Sequence, residues 1–252
     1  MSSSISILPG ITAHSSGALS IAASNTLIVA DLHLGYSWAQ RRRGELGPLA
    51  DSEAREKLIR VCGDLHPERI VFLGDVVHAP RPCQPEREWI EQTLTELSRH
   101  AELIVVRGNH DRAFAKEFSH LPVAMVESWP DQNVLAVHGD RLPPAVPAGH
   151  TLILGHSHPS IPVKDAAGAG RRLPVFLVND RCVLMPAFSP FARGYDLAGG
   201  IPEELAGQFG AQEIAVYAVS GTRIAPLGPL QRVLERMVEA DVSAPALFRG
   251  TR

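Results

Sequence analysis

The chain has 252 residues, 45% of them hydrophobic and 20% charged, with a formal net charge of −3. A chain of that length buries a core without covalent staples, and three scattered cysteines (Cys62, Cys83, Cys182) with no C-x-x-C pair exclude a disulfide framework and fit a reducing compartment. The charge balance excludes a generic nucleic-acid or membrane-surface binder while leaving room for a local basic patch, and the lack of any apolar run near the roughly 18 residues of a membrane span points to a cytoplasmic protein with no membrane partner.

Residues 5–8 and 18–22 are expected as short leading strands. The apolar run 27–30 (LIVA) leads into Asp31-Leu32-His33. A helix is expected over 52–62, with Asp51 as its N-cap. Residues 70–73 (IVFL) lead into Gly74-Asp75, and a second helix, over 86–100, places Trp89, Leu94 and Leu97 near one face. Three more apolar runs end in polar clusters. They are 103–106 before Arg107-Gly108-Asn109-His110-Asp111, 134–137 before His138-Gly139-Asp140, and 152–154 before Gly155-His156-Ser157-His158.

Such runs read as strands buried on both faces, and their alternation with helices predicts a largely parallel α/β sheet whose ligands bind beyond the strands' carboxyl ends. All five clusters lie there. Residues 166–172 (AAGAGRR) read as a flexible loop. Hairpins are expected over 175–184, around Asn179-Asp180, and over 213–227, around Ser220-Gly221, followed by a closing helix over 229–240 and a loose tail from 243. The whole reads as one domain, 1–252, with a motif core at 27–160, hairpins of a second sheet at 173–228 and the closing helix and tail at 229–252.

The clusters supply Asp31, His33, Asp75, Asn109, His138, His156 and His158: two carboxylates, four imidazoles and an amide oxygen. Gathered at one sheet edge, these groups would be costly to desolvate without a cation. Mixed nitrogen and oxygen donors without thiolate suit two divalent ions such as Mn, Fe or Zn better than Ca or Mg. In extended chain, the spacings of Asp31 to His33 and His156 to His158 would aim both side chains of a pair the same way. Any one of these short patterns also fits a buried histidine or a surface turn; five in order, each after an apolar strand, point to a single site.

D-x-H, G-D-x-x-H, G-N-H-D, H-G-D and G-H-x-H, in this order from Asp31 to His158, resemble the calcineurin-like metallophosphoesterases. The flanking DLHLGYSWAQRRRG, GHSHP and VLMPAFSPFARGYDL are similar to small prokaryotic phosphoesterases related to the SbcD-type repair nucleases, including the ligase-associated phosphoesterases. The resemblance implies a four-layer α/β/β/α sandwich of two mixed sheets. It implies that Asp31, His33 and His158 hold one metal, that Asn109, His138 and His156 hold the other, and that Asp75 bridges them. It favours manganese.

A metal-held hydroxide would then attack phosphorus in line. His110 is the expected acid for the leaving alkoxide, with Asp111 expected to orient it, and Asp140 is expected to orient His138. His78 would either contact substrate phosphate, as a histidine at this position does in the nuclease-like relatives, or serve as a hydrogen-bond partner. Lipid-A-precursor pyrophosphatases share the fold but typically carry an acidic residue there and an arginine in place of His110. Arg41, Arg42 and Arg43 either draw in a phosphate-bearing polymer or form a solvated helix face, and Arg193, in a segment that resembles the family's late loop, is a candidate substrate contact with no assigned role.

The leading expectation is hydrolysis of phosphodiester bonds in nucleic acid or nucleotides, with nucleic acid or DNA-repair proteins as partners. A phosphomonoesterase or pyrophosphatase for a small metabolite and a non-catalytic scaffold of the same fold are the other readings, and an oligomer is compatible with each.

Overall fold

Four-residue apolar runs such as LIVA (27–30), IVFL (70–73) and LIVV (103–106), with no polar break, cannot lie at a surface, and two sheets stacked between helices bury them on both sides. The computed structural model describes residues 3–45, 50–164, 170–192, 194–210 and 212–242. Among them, one sheet holds β1 (Ser4–Leu8), β2 (Ile11–His14), β3 (Leu19–Ile21), β4 (Thr26–Ala30), β5 (Arg69–Leu73), β6 (Glu102–Val106) and β7 (Val123–Val126), side by side in chain order. The first four form an antiparallel meander, and β4 to β7 run parallel.

The second sheet holds β8 (Trp129–Asp131), β9 (Val134–Val137), β10 (Thr151–Leu154), β11 (Pro159–Lys164), β12 (Gly170–Val178), β13 (Cys182–Leu184), β14 (Tyr195–Asp196), β15 (Ala215–Val219) and β16 (Ile224–Pro229). Its order is β14-β11-β12-β13-β10-β9-β8, with β15 pairing both β12 and β16. The helices are α1 (Tyr36–Arg42), α2 (Ala50–Leu65), α3 (Gln84–Ser98), α4 (Phe114–Glu117), α5 (Glu203–Phe209) and α6 (Leu230–Val242).

Strand alternation sorts the apolar side chains into three layers. Leu27, Val29, Ile70 and Phe72 face α2 and α3, where Leu58, Ile90 and Leu94 meet them. Their neighbours Ile28, Ala30, Val71 and Leu73 face the second sheet and pack on Ala136, Ile153, Phe176 and Val183. The far side of that sheet, with Leu152, Leu154 and Leu177, is covered by Leu205, Phe209 and Val233 of α5 and α6. The arrangement is the four-layer α/β/β/α sandwich of two mixed sheets.

The differences from sequence expectation have local causes. Residues 170–172 extend β12 instead of forming a loop, because Arg171 and Arg172 pair with Val163 and Pro162 of β11; residues 165–169 and the tail from 243 lie outside the described residues. Asp51 lies inside α2 and does not cap it. Its carboxylate accepts from Gly35 N (2.9 Å) and Ser37 N (3.1 Å), so it satisfies the free amides of α1. Helix α3 begins two residues early because Cys83 and Glu86 form a reciprocal capping box, with Glu86 accepting from Cys83 N at 3.0 Å. No described helix is long and apolar enough to cross a membrane.

Phe176 is fully buried between the sheets. Phe176→Ala should lower stability by about 3–5 kcal/mol, read as a shift in urea midpoint at unchanged m-value.

Candidate metal centre

The strand ends deliver the polar clusters through backbone of an unusual kind. Asp31, His33, Asp75, His156 and His158 all have φ between 47° and 65°, in the left-handed region. Non-glycine residues seldom adopt it, and they keep it only where surrounding contacts impose it. Here the imposing contacts are an interlaced pair of loops. Asp31 N donates to Gly74 O, His33 N to Asp75 O, Leu34 N to Val76 O, and His78 N back to Leu34 O. Leu32 and Leu34 anchor that pair in the core. The paired ligands therefore converge through left-handed turns, not through the extended chain that their i, i+2 spacing suggests. Gly74, at φ 76°, must be glycine on a second count, since a Cβ there would overlap the His138 imidazole.

The seven predicted donors meet in one place. Asp31 Oδ1 lies 3.0 Å from His158 Nε2 and 3.8 Å from His138 Nδ1, while Asp31 Oδ2 accepts from His156 N at 2.9 Å. Asp75 Oδ2 is central: His138 Nε2 is 3.5 Å away, His110 Nε2 3.9 Å and His33 Nε2 4.0 Å. His138 Nε2 in turn faces Asn109 Oδ1 at 3.2 Å and His156 Nδ1 at 3.1 Å. Asp31, His33 and His158 form one group that could hold a metal ion, and Asp75, His138 and His156 form another.

The donor chemistry fits cations. His138 Nδ1 contacts the Leu73 carbonyl at 3.0 Å, and a carbonyl only accepts, so Nδ1 carries the hydrogen. A neutral His138 then aims its Nε2 lone pair at two oxygens, Asn109 Oδ1 and Asp75 Oδ2, a repulsive arrangement that a positive charge resolves. The field is visible in the proton affinities. Burial opposes charge on His138, but its hydrogen bond to Asp75 and the charge of Asp31 outweigh it and raise the imidazole to about 9. Burial would raise both carboxyls, yet His158 above all holds Asp31 below the ordinary range, and His138 above all holds Asp75 well below it. Burial pushes His33 down to about 4 and lowers His156, which leaves neutral imidazoles with lone pairs to offer.

Two expected roles change in the folded chain. Asp111 does not orient His110. Its buried carboxylate accepts from Val76 N (3.0 Å), Val77 N (3.3 Å) and Gly108 N (3.1 Å), stapling the Asp75 and Asn109 loops together. Burial, then the charge of Asp75, raises it to about 6. The His78 carbonyl orients His110 instead, at 2.6 Å from Nδ1. Asp140 is exposed and makes no hydrogen bond to His138, whose orienting group is the Leu73 carbonyl.

His78 stands beside the centre, its ring 5.5 Å from that of His33 and 5.6 Å from that of His110. Burial, then His110 and Arg43, lowers it to about 4. Of the basic residues, Arg42 and Arg43 line the cleft leading to the centre, together with Arg112, which sequence reasoning misses although it directly follows G-N-H-D. Arg41 instead lies over the Trp38 ring at 5.5 Å. Arg193 lies outside the described residues.

In the metal-free protein His138 keeps its proton to about pH 9, so loading ions at pH 7.5 should release about one proton per chain, and apparent Mn²⁺ affinity should climb with pH until about 9. Calorimetry in buffers of different ionisation enthalpy measures this; uptake without proton release would contradict it.

The family model described as Calcineurin-like phosphoesterase matches residues 24–175. The crystal structure of the Pseudomonas putida nuclease MPE superposes with a TM-score of 0.66 at 22% identity, covering 90% of this chain and 100% of that one. Yfce, a phosphoesterase from E. coli, gives a TM-score of 0.42 at 16% identity over 81% of this chain and 98% of that one. No curated protein matches the chain. With the family model spanning more than half of its length and every cluster of the site, the chain belongs to the calcineurin-like phosphoesterase family.

Proposed function

We propose that the chain is a two-metal phosphodiesterase that hydrolyses phosphodiester bonds of nucleic acid or nucleotides. The observation that carries this reading is the open side of the centre, where His78 and His110 lead from Asn109 into a cleft of about 490 Å³. A phosphodiester keeps a second substituent on phosphorus, and a cleft that continues past the reacting atoms gives it room. The like-folded Pseudomonas putida protein is a nuclease, in agreement with this reading.

Asp31, His33 and His158 would hold one ion, Asn109, His138 and His156 the other, and Asp75 both, with manganese preferred. Divalent ions bound there supply Lewis acidity toward the phosphoryl oxygens and lower the pKa of water. The protein's own groups do the rest. His110 Nδ1–H donates to the His78 carbonyl, which fixes the ring and leaves Nε2 directed into the site, 3.9 Å from Asp75 Oδ2. From there Nε2 would pass a proton to the departing alkoxide. His78, neutral at physiological pH, would offer a hydrogen bond to the phosphate instead of a charge. Asp111 would keep the two loops in register, so that Asn109 and Asp75 reach the same point.

With Mn²⁺ present, kcat/KM should be higher for bis-p-nitrophenyl phosphate than for p-nitrophenyl phosphate; the reverse order would favour a monoesterase, and silence on both a scaffold. His110→Asn should lower kcat by about 10²–10⁴-fold on a diester with an alkyl leaving group and by much less on a p-nitrophenyl ester. An equal fall on both would remove His110 as the acid.

A further inference from the structure

The cleft beyond His78 and His110 is walled by Arg42, Arg43 and Arg112. Arg42 belongs to α1, Arg43 follows it, and Arg112 comes from the turn after Asn109-His110, so two separate segments bring three guanidiniums to one opening. Arg42 is braced from behind, with Nη1 3.5 Å from the buried Glu86 carboxylate. Arg43 and Arg112 are exposed, and among the described residues neither has a carboxylate within 4.0 Å. Other arginines, such as Arg60 and Arg223, also lack an acid partner among the described residues; what sets this group apart is that three guanidiniums share one opening.

Clustered like charge without counter-charge destabilises a chain on its own account, and an arriving anion relieves it. Guanidinium forks match phosphate oxygens in particular. The same cleft is lined by Asn109 and His110, so it is continuous with the metal centre. We propose that Arg43 and Arg112, with Arg42 braced by Glu86, form a subsite for the phosphate next to the scissile one in a polynucleotide strand. The inference rests on the phosphodiesterase reading for the identity of its neighbour, and it narrows the substrate from phosphodiesters in general to those flanked by a further phosphate.

The test uses the full chain loaded with Mn²⁺. Binding of a fluorescein-labelled, phosphorothioate-linked ten-nucleotide oligothymidylate, which keeps its charges and resists cleavage, is followed by anisotropy across a salt series. Arg43→Ala/Arg112→Ala should weaken binding at least tenfold and flatten the slope of log Kd against log salt by roughly 0.7 for each phosphate that is no longer neutralised. Arg232→Ala, on the distant α6, serves as control. The double variant should also lose at least tenfold more kcat/KM on an oligothymidylate than on bis-p-nitrophenyl phosphate. Wild type that does not bind the oligonucleotide, or a double variant within twofold of the control in affinity and slope, overturns the subsite. If the arginines govern binding and no diester is hydrolysed, a strand-phosphate site at the arginines stands without a scissile neighbour, and the phosphodiesterase reading falls. If both substrates are hydrolysed and the arginine pair affects them equally, the phosphodiesterase reading stands and the subsite falls.

Discussion

His138 Nε2 faces Asn109 Oδ1, His156 Nδ1 and Asp75 Oδ2 at 3.2, 3.1 and 3.5 Å, in a pocket where Asp31, Asp75 and His138 itself are almost fully withdrawn from water. Such a gathering of lone pairs and negative charge is unfavourable in a poorly solvating interior unless positive charge sits among them. Without metal, a proton on His138 supplies one unit of that charge, at the cost of a strongly raised imidazole. Two divalent ions would supply more, to more donors at once. The architecture around the pocket reads as what is needed to hold these groups together against their own repulsion.

That holding is done by backbone. The parallel strands β4, β5 and β6 end level with one another, and left-handed residues immediately after β4 and β5 turn Asp31 and Asp75 inward. Asp111 commits its whole carboxylate to three amides of the facing loops, and Asp51 does the same for the start of α1. From behind, the segment after β13 is laced to the Asp31 loop by Phe188 N to Ala30 O and Ser189 N to Asp31 O. Lys57 of α2 donates to the Phe188 carbonyl at 2.8 Å. Burial lowers that lysine to about 8, so this clamp carries its own desolvation cost. Much of the holding is therefore done by groups outside the donor set, Asp111, Lys57 and the loop backbone among them, beside the donors' own contacts such as His156 N to Asp31 Oδ2 and His138 Nδ1 to the Leu73 carbonyl.

What can be read in the sequence, and what cannot, divides along the same line. Apolar runs such as 70–73 and 103–106 declare buried strands by composition alone, and the order of the polar clusters behind them points to a shared site. Contacts between distant backbone and side chain leave no such mark. Asp111 beside His110 suggests an acid–base pair, and only the fold shows that amides more than 30 residues upstream claim its oxygens first. Asp140 beside His138 misleads in the same way. Short strands with a proline or a mixed face, such as Trp129–Asp131, carry too little periodicity to announce themselves. Arg112 escapes sequence reasoning because a lone arginine in a turn has no pattern; its meaning comes from Arg42 and Arg43 arriving across the cleft.

On the proposed reading, Asp75 is shared by two cations. Metal content after loading with Mn²⁺ and desalting, measured by plasma mass spectrometry on the wild-type chain and on Asp75→Ala, tests it directly. Two ions per wild-type chain and fewer than one per variant chain are predicted. A variant that still holds two, or a wild type that never holds more than one, would contradict the account.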